Sequence, residues 1–382
     1  MASEVIEKSP RLAFAAEVSK QPSLNNRGDR MNSNKISYQG KKVYVGIDVH
    51  LKTYSITARC DGAIAHRVTM EASPIGLVTY LKRSFAGAKS IFSVYEAGFS
   101  GFALHRVLVD NEIHNIVINP ASVEVAANDK VKTDRRDSKK MAEQLEFGRL
   151  TPVFVPDKAQ ELRRQLTRTR EQIADTRGRV AQQIKSRLHY FGLIAHNAPN
   201  KPLSNRTLKE IQKKSLPIEL SDSLNLLIAQ WRFLTLQLLE VRRKFREQSK
   251  KDEKLETTYR SVPGIGAIGA RVLSNELGDI SKRFDNEREL FKFTGLTPSE
   301  FSTGESIRRG HITRQGSPRI RTILVEAAWF AIKKDAALKM TFERIAFKRG
   351  KKRAIIAIAR KLIGRIRACF RQEVTYQLGV CM

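Results

Sequence analysis

Four carboxylates stand where residue type and spacing could do chemistry. Asp48 interrupts the otherwise apolar and β-branched start of Val43–Ile56, and Glu96 closes the run Ile91–Glu96 just before Ala97 and Gly98. Asp134 and Asp137 follow, three residues apart, in the polar stretch Lys132–Asp137. A carboxylate inside a buried strand is costly unless something pairs with it. A hydrogen bond or an arginine would suffice, and so would a divalent cation. The pair at 134 and 137 shares one face of a helix that begins near Thr133. The same letters also spell a capped helix start, with Thr133 or Asp134 as N-cap and acids favoured in the first turn. The combination points further. An acid in the first strand, an acid at the end of a later strand and two on a following helix are what a two-metal phosphoryl-transfer site needs. There, hard oxygen ligands from separate elements hold two Mg²⁺ ions.

The elements that must position these groups can be read in order. From Lys42 the pattern is β-β-β-α-β-α-β-α: strands Val43–His50, Tyr54–Cys60 and Ile64–Met70, with Asp61-Gly62 as the turn between the last two. A helix over about Ser73–Phe85, a strand Ile91–Glu96, a helix near Gly101–Asn111, a strand Asn115–Asn119 and a helix from about Asp137 to Phe147 complete it. Three hairpin strands followed by alternating helix and strand predict a mixed sheet with helices packed on it, in the order of a ribonuclease-H-like fold.

Residues 1–40 are Ser-, Asn- and Lys-rich and read as a disordered extension, so the α/β domain spans 41–156. Residues 157–250 turn wholly helical. Leu162, Leu166, Ile173, Val180, Ile184, Leu188 and Phe191 recur at helical steps, as do Leu224, Leu227, Trp231, Leu234, Leu238, Val241 and Phe245. Two long helices joined by the polar segment 196–217 predict an antiparallel coiled coil or a dimer-forming arm. Arg163, Arg164, Arg168, Arg170, Arg177 and Arg179, then Arg242, Arg243 and Lys244, are expected on its outer, nucleic-acid-facing surface.

The third region, 251–382, is mainly helical. The turn Val262–Gly269 resembles the hairpin of helix-hairpin-helix modules, although a Gly/Pro-rich interhelical turn gives the same letters. Helices are expected over about Ala270–Leu277, Glu287–Phe293 and Arg319–Lys334, with a polar segment Pro298–Arg314 between the last two. Lys348–Arg353 then leads into a basic helix ending near Phe370. No phosphate-binding G-x-x-x-x-G-K-[ST] motif is present, which argues against an NTPase.

Charge narrows the partner. Lys and Arg number 69 against 39 for Asp and Glu, a net charge of +30, and such an excess favours nucleic acid through counterion release. No apolar run is long enough to span a membrane, and no signal peptide is visible. Cys60, Cys369 and Cys381 lack metal-binding spacing and read as reduced cytosolic thiols, so zinc is not expected.

The motifs together resemble a known family. Gly46-Ile47-Asp48-Val49, Tyr95-Glu96-Ala97 and Thr133-Asp134-Arg135-Arg136-Asp137 resemble the Asp-Glu-Asp-Asp (DEDD) transposases of insertion sequences. That family includes the Piv-type DNA invertases, and its N-terminal domain is similar to the RuvC Holliday-junction resolvase. Pro263–Gly266, Gly295–Gly304, Gly310–Gly316 and Arg321–Trp329 resemble the family's C-terminal domain, in matching order. The resemblance covers about Val43 to Phe370. It implies a DNA recombinase in which Asp48, Glu96, Asp134 and Asp137 hold Mg²⁺, with Mn²⁺ as the alternative ion. Ser302 would attack the phosphodiester and form a phosphoserine link. The family reads Ser-Ser-Gly where this chain has Ser302-Thr303-Gly304, and Gly-Asn where it has Ser317-Pro318. By its letters alone, Ser302-Thr303-Gly304 is a turn. The implied partners are donor and target DNA, a structured guide RNA of the bridging type, and further copies of the chain as a dimer or tetramer, in a bacterial, nucleoid-associated cytoplasmic setting. Arg308, Arg309, Arg314 and Arg321 are candidates to clamp the scissile phosphate, with solvated surface charge as the alternative. No histidine is spaced to serve Ser302, and His311 reads as a polar contact. The competing functions are a RuvC-like structure-specific nuclease without a serine nucleophile and a non-catalytic basic nucleic-acid-binding protein.

Overall fold

The computed structural model describes residues 37–123, 133–195, 202–300, 303, 306 and 308–379. The chain divides into two compact units, 1–153 and 154–382.

In the first unit, β1 (Lys42–Val49), β2 (Thr53–Cys60) and β3 (Ala63–Glu71) form a meander. The helix α1 (Pro74–Ser84), β4 (Ser90–Glu96), α2 (Ala103–Asp110), β5 (His114–Ile118) and α3 (Asp134–Glu146) follow. The sheet order is β3-β2-β1-β4-β5, with β1 antiparallel to β2 and parallel to β4, and β4 parallel to β5. This is the arrangement expected of a ribonuclease-H-like domain. Local chemistry accounts for the elements. Asp61 and Gly62 take positive φ (50° and 77°), the conformation a tight hairpin with right-handed strand twist demands. Ser73 caps α1 by accepting from the Gly76 amide at 3.1 Å, and Pro74 occupies the first helical position. Central β2 is almost continuously buried and β1 buries its middle, Val45–Ile47, whereas edge strand β3 alternates between exposed and half-buried.

α3 lies directly on β1, and Gly46 is the reason. A Cβ at Gly46 would stand 2.0 Å from the Ser138 carbonyl oxygen and 2.6 Å from the Ala142 amide nitrogen, so only hydrogen fits there. Two polar contacts fasten the same helix to β2: Thr57 Oγ1 meets Ser138 Oγ at 2.9 Å, and Arg59 Nε donates to Glu146 at 2.7 Å, both groups nearly buried. Tyr38, assigned by sequence to the extension, is buried edge-on against Phe85 and belongs to the core. The remainder of the predicted extension, up to residue 36, lies outside the described residues.

The second unit begins with α4 (Lys158–Tyr190), a short α5 (Asn205–Gln212) and α6 (Ile218–Lys251). α4 and α6 run antiparallel: Arg177 lies over the Trp231 ring (5.7 Å) while Arg170, earlier in α4, lies near Arg242, later in α6, and the pair buries Val180, Ile184 and Leu188 with Leu224, Ile228, Trp231 and Leu234. Two residues of the expected seam leave it: Leu162 and Phe191 are exposed. In the first turns of α4 the buried face is instead Gln160, Arg164 and Thr167. Arg164 donates to the Asn275 and Glu276 carbonyls (3.2 and 2.9 Å), and Arg168 pairs with the Glu276 carboxylate at 3.0 Å. These two arginines, expected on an outer surface, satisfy the free carbonyls and the acid at the end of a helix more than a hundred residues away.

That helix is α8 (Ala267–Leu277), preceded by α7 (Glu253–Arg260) and followed by α9 (Ile280–Arg283) and α10 (Glu287–Thr294). The polar segment contains a hairpin of β6 (Pro298–Glu300) and β7 (Arg309–Ile312), and α11 (Pro318–Lys334), α12 (Ala336–Arg349) and α13 (Lys351–Gln372) close the unit. α12 escapes sequence reading because it buries a single apolar residue, Leu338. Gly350, at φ 81°, separates it from α13. In the core, α11 brings Ile320, Leu324, Ala327, Ala328 and Ala331 against Ile355, Ile358, Leu362 and Ile366 of α13. Buried charge is neutralised within the unit: Arg271 binds Asp252 at 2.7 Å and also Glu256, while Arg365 and Tyr376 both donate to Asp335 at 2.7 Å. Gly264 of the glycine-rich turn (φ 87°) sits so close to the Ala327 backbone that packing on α11 alone explains it. Cys60 and Cys369 are buried free thiols. No helix among the described residues is long and apolar enough to cross a membrane.

Candidate metal centre and nucleic-acid surface

β1, β4 and β5 are parallel, so their carboxyl ends open on one edge of the sheet, where ligands of α/β folds commonly bind. Asp48 is the penultimate residue of β1 and stays partly exposed there. The register Ile47↔Tyr95 puts Glu96 beside Asp48 on the neighbouring strand, on the same face. Immediately after β1 the His50 amide donates to the Thr53 carbonyl (2.9 Å) and fixes the turn. Asp134 is the first residue of α3, where the helix dipole favours an acid. Thr133, at the N-cap, makes no side-chain capping bond.

These elements converge on one imidazole nitrogen. His50 Nε2 lies 3.2 Å from Asp48 Oδ2 and 3.2 Å from Asp134 Oδ2. Among the described residues, Asp48, His50 and Asp134 are the group whose ligand atoms all lie within 4.8 Å of one another. Burial pushes the Asp48 carboxyl above its ordinary pKa. His50 opposes the shift, and repulsion from Asp134 and Asp137 adds to it. Asp137 therefore acts on the site from one helical turn away, while its carboxylate and that of Glu96 stand outside the tight group.

The donor set fits a small divalent cation. Adjacent vertices of an octahedron with bonds of about 2.1 Å are about 3.0 Å apart, close to the 3.2 Å observed on both edges at His50. Asp48 and Asp134 would supply hard oxygens. His50 was missed by the sequence reading, though a signal existed. Two residues beyond Asp48 in an extended run, it must face the same side of the sheet.

Ser302 lies outside the described residues. Its neighbour Thr303 pairs with Ser306 through reciprocal backbone bonds of 3.2 and 3.1 Å. The arginines that follow take different places. Arg308 and Arg314 are exposed, and Arg309 on β7 is exposed and pairs with Glu300 at 3.3 Å. Arg321 is half-buried, and its Nη1 donates to the Thr294 carbonyl (3.1 Å), closing the end of α10. Burial, with Arg314 nearby, lowers its pKa. A groove of about 1590 Å³ runs between the β6–β7 hairpin, α12 and α13. Arg309, Arg314, Arg349, Lys351, Arg353 and Arg360 line it, and among the described lining residues the one acid is Glu287. Arg360 lies 4.5 Å over the Phe291 ring. The basic stretch 349–353, read by sequence as the lead into a basic helix, thus shares one surface with the hairpin arginines.

Comparison with known proteins matches this organisation. An IS110-type DEDD transposase family matches residues 45–191, and the IS116/IS110/IS902 transposase family matches residues 257–343. The chain is 31% identical to y4qE of Sinorhizobium fredii, a protein designated a transposase, over 76% of this chain and 72% of that one. It is 24% identical to the transposase for insertion sequence element IS1533 of Leptospira borgpetersenii, over 87% and 96% of the two chains. The transposase for IS1111A of Coxiella burnetii is 26% identical over 72% of this chain and 76% of its own. With both halves matched in order and the mixed sheet carrying its acids at the strand ends, this chain belongs to the IS110-type family of insertion-sequence transposases.

Proposed function

We propose that the chain cuts and rejoins DNA by metal-assisted transesterification, with Asp48, Glu96, Asp134 and Asp137 holding Mg²⁺ or Mn²⁺ and Ser302 as the nucleophile. The convergence of Asp48 and Asp134 at the carboxyl edge of the sheet carries this reading. A divalent cation bound there supplies positive charge for the crowded carboxylates and for the phosphate. The protein's own steps are simple. Ser302 Oγ gives up its proton and forms a bond to phosphorus as one bridging P–O bond breaks, and the leaving oxygen takes up a proton. Rejoining reverses this. The serine ester conserves the bond energy, so no nucleotide cofactor is needed.

The exposed cations of the hairpin–α13 groove support nucleic-acid binding, with Arg308, Arg309 and Arg314 extending towards the Ser302 segment in sequence. The resemblance adds a structured guide RNA and assembly into a dimer or tetramer. Assembly finds support in α6, which exposes Leu226, Phe233 and Leu236 at steps of seven and three residues. The coiled-coil arm (157–250) and the C-terminal domain (251–382) are the proposed functional divisions of the second unit.

The test traps the reaction on DNA and maps the nucleotide-bearing peptide. Ser302→Ala should give no adduct and Thr303→Ala should still give one, while Asp48→Asn should abolish cleavage in a folded protein. An adduct on Thr303, or cleavage by Asp48→Asn, rejects the assignment. Target choice that survives complete RNA removal rejects the guide.

A further inference from the structure

We infer that His50 is a further protein ligand of the proposed metal centre, through Nε2, beside the carboxylates, and that it shifts the centre's preference from Mg²⁺ towards Mn²⁺. The inference rests on the carboxylate-held metal centre proposed above.

Two observations carry it. The first is position: Nε2 is equidistant, at 3.2 Å, from carboxylate oxygens on two separate elements. A side chain that merely paired with Asp48 would have no need to meet the start of α3 as well. The second is anchoring. The His50 backbone is held by its bond to Thr53, and α3 is held against β1 by the close approach at Gly46. The imidazole therefore stands at the start of a short turn tied back to the first residue of β2, facing a helix whose seat on β1 is fixed.

The selectivity follows from the nitrogen. Mg²⁺ favours oxygen donors and keeps much of its water, whereas imidazole suits the borderline transition metals. A centre of carboxylates alone would not discriminate in this way.

The test uses the full-length protein freed of nucleic acid. Mn²⁺ binding is followed by electron paramagnetic resonance, with pulsed measurement of ¹⁴N coupling and competition by Mg²⁺. Wild type should show a directly coupled nitrogen. His50→Ala and His50→Gln should both lose it and bind Mn²⁺ roughly tenfold or more weakly, with Mg²⁺ affinity changed by less than about twofold. Gln keeps a group able to donate to Asp48, so a purely structural role would leave that variant normal. Specific Mn²⁺ binding that Asp48→Asn removes, but without ¹⁴N coupling or with full affinity in His50→Gln, overturns the inference and leaves the carboxylate centre standing. No specific Mn²⁺ binding, or binding indifferent to Asp48→Asn, overturns both.

Discussion

Gly46→Ala should disable the candidate centre without touching any of its ligands. The new methyl group would sit 2.0 Å from the Ser138 carbonyl oxygen and 2.6 Å from the Ala142 nitrogen, both helix backbone that cannot rotate away. To regain an ordinary separation of about 3.5 Å, α3 must retreat by about 1.5 Å. That retreat stretches the buried Thr57–Ser138 bond, now 2.9 Å, beyond hydrogen-bonding range. Overpacking costs about 1–3 kcal/mol and a lost buried hydrogen bond about 1 kcal/mol more. The expected loss is therefore about 3 kcal/mol, or roughly 10 °C in the unfolding of the first unit. The same retreat carries Asp134 away from His50 and Asp48, so Mn²⁺ binding should fall with it. Both tryptophans, Trp231 and Trp329, lie in the second unit, which makes their fluorescence blind to this change. Amide hydrogen exchange of peptides from β1 and α3 is the appropriate assay. Gly62→Ala is the control: its φ is 77° but nothing lies within 4 Å, so it should cost only about 1–2 kcal/mol of backbone strain and leave metal binding intact. Wild-type exchange in α3, together with unchanged Mn²⁺ affinity in Gly46→Ala, would refute the reasoning.

Two further outcomes are expected in the second unit. Burial by itself would raise the Asp335 pKa, but hydrogen bonds from Tyr376 and the Leu338 amide, with the charge of Arg365, outweigh it and hold the carboxyl below its ordinary range. The stability it contributes is complete above the ordinary carboxylate pKa and is lost as pH falls through the lowered folded value. Asp335→Asn should cost about 3–5 kcal/mol near neutral pH by leaving Arg365 buried and unpaired, and should flatten the acid limb of a pH-dependent unfolding series. Neutralising two groove cations, as Lys351→Gln with Arg353→Gln, should weaken binding to DNA of any sequence and reduce the slope of log K against log salt by about 2. Filter binding between low and physiological salt measures this, and an unchanged slope excludes the groove as a phosphate-contacting surface.

Local chemistry made much of this protein legible before any tertiary contact was known. The strand bearing Asp48, the Asp61-Gly62 turn and the long apolar periodicities of α4 and α6 depend on neighbours in the chain, so residue order alone determines them. The same holds for the four spaced carboxylates and the basic excess. Packing decided the rest. Whether Arg164 faces water or the last carbonyls of α8, and whether Tyr38 belongs to a tail or a core, depends on surfaces contributed by distant segments. α12 carries too little buried apolar surface to announce itself, and the run 349–353 acquires a groove only because the β6–β7 hairpin lies across from it. Above all, nothing in the spacing of Asp48 and Asp134 requires their carboxylates to meet at one histidine. They meet because a missing side chain at Gly46 lets a helix backbone settle directly on a strand, a contact set by three-dimensional closeness rather than by sequence pattern.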